Sequence, residues 1–196
     1  METTLDFAFW ATIAAVLGLL CLSAFFSGSE TALTAASRGK LRTMADKGSA
    51  GAARALKLRE DNERLIGSVL LGNNLVNILA TSLTTSLATA LFGATGLALA
   101  IATLVMTALV LVFAEVLPKT YAITNSETAA STVAGPIAAV VQVLAPIVNF
   151  VRLLVRGILH MVGVQTDPEA SVMAAQEEIA GAIALHHSEG AVEKAD

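Results

Sequence analysis

Apolar residues run along this chain in long unbroken blocks, and the longest, residues 65 to 114, contains no Asp, Glu, Lys or Arg. A block of that length exceeds any soluble core helix and fits two membrane spans of about 20 residues each. Gly93 and Gly96 divide it, predicting a tight helical hairpin with arms at about 65–91 and 97–122. An earlier block, 7–36, is preceded by Glu2 and Asp6 but by no Lys or Arg. A secretory signal starts with basic residues, so this block predicts a retained span. Residues 38–64 set Leu41, Met44, Ala52, Ala55, Leu56 and Leu58 among charged side chains, predicting one or two amphipathic helices along the membrane surface. The last block, 129–164, contains Pro136 and Pro146, with Arg152, Arg156 and His160 recurring at helical spacing. It predicts a broken or re-entrant helical pair followed by an interfacial helix from about 148 to 162. The expected fold class is all-α integral membrane: three transmembrane helices, a broken or re-entrant fourth segment, and amphipathic juxtamembrane helices.

Composition agrees with this reading: 55% of residues are hydrophobic and only 14% charged, against about 25% charged in soluble domains. The charges are unevenly placed. Residues 38 to 64 hold eight of the twelve basic residues, which by the positive-inside rule makes this stretch cytoplasmic and the N-terminus external. A C-terminus on the cytoplasmic side follows if the fourth block does not cross. Beyond Pro168 the composition turns acidic, with Glu177, Glu178, Glu189 and Glu193. The chain therefore divides into a membrane domain, 1–165, and a soluble acidic helical linker, 166–196, that leads toward a further region. Cys21 is the only cysteine, which excludes an intramolecular disulfide, and its apolar surroundings point to packing. Trp10 and Tyr121 fit interfacial anchors. His186 and His187 are adjacent and point about 100° apart on a helix, poorly placed to chelate.

Three polar patches interrupt the apolar blocks. In the first, Ser23 and Ser27 share a helix face, and Gly28 lets another backbone approach or frees a carbonyl. In the second, Asn73 and Asn77 share a face, with Asn74 offset by about 100°. In the third, Glu115 precedes Pro118, whose missing N–H leaves the Ala114 carbonyl without its usual helical donor. A carboxylate deep in a membrane costs roughly 2.5–3.5 kcal/mol on insertion scales and is by default a functional candidate. One carboxylate with hydroxyl, amide and carbonyl oxygens is a hard donor set, suited to Mg²⁺, Ca²⁺ or Na⁺ rather than zinc or copper. Blander readings exist for each patch: serines bonding their own helix carbonyls, asparagines bridging helices, and Glu115 paired with Lys119 at i+4. Glu30, three residues past Ser27, lines the cytoplasmic vestibule or a second cation site, or is a helix-end charge near the interface.

The motifs Phe26-Ser-Gly-Ser-Glu-Thr-Ala32, Leu71-Gly-Asn-Asn-Leu-Val-Asn-Ile78 and Glu115-Val-Leu-Pro-Lys-Thr-Tyr-Ala122 resemble the transmembrane signatures of the CorC/CNNM family of magnesium transporters. The resemblance covers roughly residues 5 to 165. It implies a homodimer in the membrane, a juxtamembrane helical belt, CBS-pair and CorC-type domains following the membrane part, and Mg²⁺ export with Na⁺ as the coupling ion. It carries the metal site onto Ser23, Ser27, Gly28, Asn73, Asn77 and Glu115. The expected partners are membrane lipids, a second copy of the chain and the transported Mg²⁺, with no nucleic acid. Two alternatives stay open: a channel or carrier for Na⁺ or another divalent ion, and a non-transporting scaffold for soluble domains. An enzyme is not expected, because Ser27 and Ser29 lack a base: the histidines are His160, His186 and His187, away from these helices.

Overall fold

The structure is a computed structural model and describes residues 2–93 and 95–162. Among these residues every regular element is helical: α1 (Glu2–Ala35), α2 (Arg38–Asp46), α3 (Ala50–Leu58), α4 (Asn62–Phe92), α5 (Gly96–Leu109), a π-helical segment (Val110–Val116), α6 (Leu117–Thr124) and α7 (Ser126–Met161). Four stretches are long and apolar enough to cross a membrane, Phe7–Ala35, Asn62–Phe92, Leu99–Thr124 and Ser126–Met161. The protein is a multi-pass helical membrane protein. The linker expected over 166–196 lies outside the described residues.

Local chemistry sets the boundaries. Ser37 caps α2 by accepting from the Lys40 amide, Ser49 caps α3 by accepting from Ala52, and Asp61 caps α4 by accepting from Arg64 at 3.0 Å. The hairpin between α4 and α5 turns at Gly93, whose φ of 74° suits a residue without a Cβ. The C-terminus of α1 is closed from outside, because the Arg59 guanidinium donates to the Ala36 carbonyl and Arg38 in turn donates to the Arg59 carbonyl at 3.4 Å. Burial lowers the Arg59 pKa from its ordinary value, and the neighbouring Arg38 charge adds to the shift.

The chain forms two compact units, divided after Asn149. In the second, the described residues continue α7 as far as Met161, with Phe150, Leu153 and Ile158 exposed. The first unit buries its main core at one end. Leu33, Leu41, Ala52, Ala55, Leu65, Ala134 and Ile137 pack there, drawn from α1, α2, α3, α4 and α7. A smaller cluster of Leu20, Ala80, Met106 and Ala114 joins α1, α4, α5 and the π segment. Elsewhere large apolar side chains such as Trp10, Ile78, Leu104 and Phe113 face outward, as lipid-facing surfaces require.

The fourth block corrects the expectation. Pro136 and Pro146 lie inside one continuous α7, and neither breaks it into a re-entrant pair. Each proline removes one N–H, but its fixed φ is itself helical, and neighbouring packing compensates in apolar surroundings. Here that packing is supplied by Ala130, Ala134, Ile137, Val141 and Ala145, all buried. The first part of α7 lies against the juxtamembrane helices. Glu127 pairs with Lys40 at 3.1 Å, the Ser131 and Ser49 hydroxyls meet at 3.1 Å, and Val148 reaches Gly67, near the start of α4.

Gly51 fixes this docking. A Cβ there would lie 2.2 Å from the Ser131 carbonyl oxygen and 2.5 Å from its hydroxyl, so α3 and α7 would have to separate. Gly51→Ala is expected to destabilise the protein by about 1–3 kcal/mol, the usual range for overpacking. Thermal unfolding in one detergent should show a clear loss for Gly51→Ala and little for Gly39→Ala, where the nearest atom is 3.9 Å away. Equal midpoints for the two variants would refute the close α3–α7 contact.

Candidate functional site

Two contacts lock α1 against its neighbours. A Cβ on Gly72 of α4 would fall 2.8 Å from the Phe26 ring, and a Cβ on Gly28 of α1 would fall 3.3 Å from Pro118 Cβ. These contacts, with the Ser23–Asn73 hydrogen bond, run α1 antiparallel to α4 and bring α6 alongside. The three polar patches then lie at a common depth. At 1.5 Å rise per residue, Ser27 is about 12 Å from the end of α1, Glu115 about 14 Å from the end of α6, and Asn73 about 16 Å from the start of α4.

Ser23 and Asn73 meet directly, the serine hydroxyl donating to Asn73 Oδ1 at 2.9 Å in a buried position. Both oxygens keep lone pairs for a further partner. Ser27 and Ser29 are wholly buried, and neither hydroxyl has a hydrogen-bond partner among the described residues. The contrast with the threonines is instructive. Thr31, Thr34, Thr81, Thr84, Thr120 and Thr124 all donate to the carbonyl four residues earlier, at 2.8–3.1 Å for the first four and 2.7 and 2.9 Å for the last two. The local bond that would occupy a serine is not made by Ser27.

Asn77 and Glu115 line a common cleft of about 290 Å³ between α4 and the α5–π segment. Asn77 Oδ1 is buried without a hydrogen-bond partner, and Glu115 is half-buried. Among the described residues no ion pair joins Glu115 to Lys119. Asn74 is exposed and points away from the site's buried groups. Gly28 acts in the geometry as a contact point for Pro118. Glu30 is half-buried, three residues beyond Ser27 on α1.

The π segment is the feature that sequence reading missed. Leu117 donates its N–H to the Val112 carbonyl, five residues back, and Thr120 donates to the Val116 carbonyl at 2.7 Å. Pro118 is the signal that was available: with no N–H and a ring crowding the preceding turn, it disfavours ordinary α geometry just before it. The wider π turn re-aims the side chains it carries, and such turns recur at functional sites. Glu115 is one of them. On the opposite face of α1, Ser29 lines a separate groove of about 220 Å³ with Phe25, Tyr121, Thr128 and Thr132.

Long apolar helices that carry a carboxylate and unpaired buried oxygens are the architecture of a membrane transport domain. The chain belongs to the cyclin M (CNNM) transmembrane N-terminal domain family, which matches residues 13–196. It is 53% identical over 60 residues to the UPF0053 inner membrane protein YfjD of Escherichia coli (strain K12), a segment covering 31% of this chain and 14% of that protein. It is 47% identical over 62 residues to a UPF0053 protein of Haemophilus influenzae, covering 32% and 15%. A polyamine export protein of Salmonella typhimurium shares 44% over 61 residues, covering 31% and 14%. The chain thus aligns with only about a seventh of these relatives' lengths.

The two serines should separate in a stability measurement. Ser23→Ala strands the Asn73 acceptor and is expected to cost about 1 kcal/mol, as interhelical hydrogen bonds in membranes do. Ser27→Ala removes an unpaired hydroxyl and should leave the unfolding midpoint, measured without divalent ions, unchanged or higher. A clear drop for Ser27→Ala would reveal a protein partner for that hydroxyl.

Proposed function

We propose that this domain transports Mg²⁺ across the membrane through a site made of Ser23, Ser27, Asn73, Asn77 and Glu115, with Gly28 admitting Pro118 against the serine face. The carrying observation is the set of unpaired buried oxygens, Ser27 Oγ and Asn77 Oδ1, at the depth of a carboxylate with no ion pair. Hard neutral oxygens plus one negative charge suit a cation that takes oxygen ligands in octahedral array at about 2.0–2.1 Å and retains part of its water. A single carboxylate leaves a dication incompletely neutralised, which holds the ion without trapping it. Outward movement of Mg²⁺ driven by Na⁺ entry is proposed on the resemblance of the three motifs to magnesium exporters.

The same reading includes a three-span topology. In it α1, α4 and the α5–α6 arm cross, while the first part of α7 lies along the cytoplasmic surface. The contacts of Glu127, Ser131 and Val148 support this, because they fall on Lys40, Ser49 and Gly67, all near the same ends of the crossing helices. The N-terminus is then external. The apolar outer faces of α4 and α5 supply the surface for a C2 homodimer.

A polyamine is the second reading, favoured by the names of several relatives. Its amines are spaced along a chain and call for several separated acceptors, whereas here one carboxylate shares its cleft with a single buried, unpaired oxygen, that of Asn77. Calorimetry in a single detergent decides between the two. Mg²⁺ should bind the wild type, Ser27→Ala should bind about tenfold more weakly, and Glu115→Gln should nearly abolish binding, since an uncompensated dication is costly in an apolar interior. Equal Mg²⁺ affinity for wild type and Glu115→Gln would sink the site. Spermidine binding that Mg²⁺ fails to displace would favour the polyamine.

A further inference from the structure

The cleft that holds Asn77 and Glu115 at one end is also lined by Thr81, Thr103, Thr107 and Met106. It therefore extends from the depth of the carboxylate toward the Gly93–Gly96 turn, and Thr103 lies about 10 Å along the helix axis from Gly96. Thr103 and Thr107 are one turn apart, so both hydroxyls project from one face of α5. On the facing wall Thr81 is occupied, donating to the Asn77 carbonyl at 2.9 Å, and further along α4 Thr84 donates to the Ala80 carbonyl at 2.8 Å. Neither Thr103 nor Thr107 makes a hydrogen bond among the described residues. A threonine that meets only lipid can satisfy its hydroxyl on its own helix, as these neighbours do, and an unmet hydroxyl is unfavourable in hydrocarbon. Free hydroxyls in the same cleft as an unpaired Asn77 oxygen are placed to meet water or a hydrated cation.

We propose that Thr103 and Thr107 line the route by which the ion passes between Glu115 and the side of the membrane that carries the hairpin turn. Their hydroxyls exchange for water around the cation as it moves, and Met106 and Leu111 keep the path narrow. The inference rests on the reading of Asn77 and Glu115 as ion ligands, but it assigns a different task to different residues. Affinity belongs to the ligands at mid-depth; passage belongs to the threonines.

Two measurements on the full chain test it. In nanodiscs, on a Cys21→Ser background, Thr103→Cys and Thr107→Cys are treated with a charged, lipid-insoluble methanethiosulfonate, beside the outward-facing Leu104→Cys. Both threonine positions should react, Thr107→Cys at least fivefold more slowly in saturating Mg²⁺, and Leu104→Cys should react at least tenfold more slowly than either. In proteoliposomes the Thr103→Val/Thr107→Val double variant should lower the initial Mg²⁺ flux at least fivefold while its calorimetric Mg²⁺ affinity stays within twofold of wild type. Threonine positions no more reactive than Leu104→Cys, or full flux in the double variant, would overturn the route. Labelling as expected alongside unchanged affinity in Glu115→Gln would instead leave a wet cleft standing and remove the ion site at its end.

Discussion

Polar atoms carried into an apolar interior must be met there by other polar atoms, and the arrangement of these helices follows from how far that condition is satisfied. Ser23 and Asn73 satisfy it across the α1–α4 contact at 2.9 Å. That bond is possible because Gly72 lets the Phe26 ring close on α4, one turn from the pair. The same α1 is held on its other side by Gly28 against Pro118. Two glycines thus bring three helices near enough for side chains as short as serine to reach across. With a larger residue at either position, the short polar groups would be left facing one another at a distance.

Packing is concentrated at one end of the first unit. The main core joins the ends of α1 and α4 to α2, α3 and α7, and it is reinforced by caps, by Arg59 on the Ala36 carbonyl and by the Lys40–Glu127 pair. Toward the hairpin turn only the small cluster of Leu20, Ala80, Met106 and Ala114 ties α1 to the other helices. Local stability generally follows buried contact.

Unpaired oxygens are the other half of the design. A buried hydroxyl without a partner costs roughly 1–3 kcal/mol, and the domain carries Ser27, Ser29 and Ser68 in that condition, as well as Asn77 Oδ1. Threonines on the same helices show that local satisfaction was available. Under the proposed function, Ser27 and Asn77 hold their oxygens for the transported ion. The π turn at Val110–Val116 adds to this, since it carries the carboxylate on a backbone that departs from ordinary helix geometry.

Much of this was legible in the sequence. Uncharged blocks and the paired glycines gave the helices and their hairpin, and the basic stretch gave the two short surface helices. Serine, asparagine and glutamate at turn spacing marked three patches, because side-chain direction on a helix is a local, periodic property. What remained was decided between elements. Whether Ser23 bonds its own helix or Asn73, whether Glu115 pairs with Lys119, and whether Ser27 keeps a free hydroxyl all depend on which backbone comes close, and the contacts at Gly28 and Gly72 set that. The continuity of α7 through Pro136 and Pro146 has the same origin. Local rules counted the two missing N–H groups, while the buried face from Ala130 to Ala145 held the helix together, since burial is a property of the assembled neighbours.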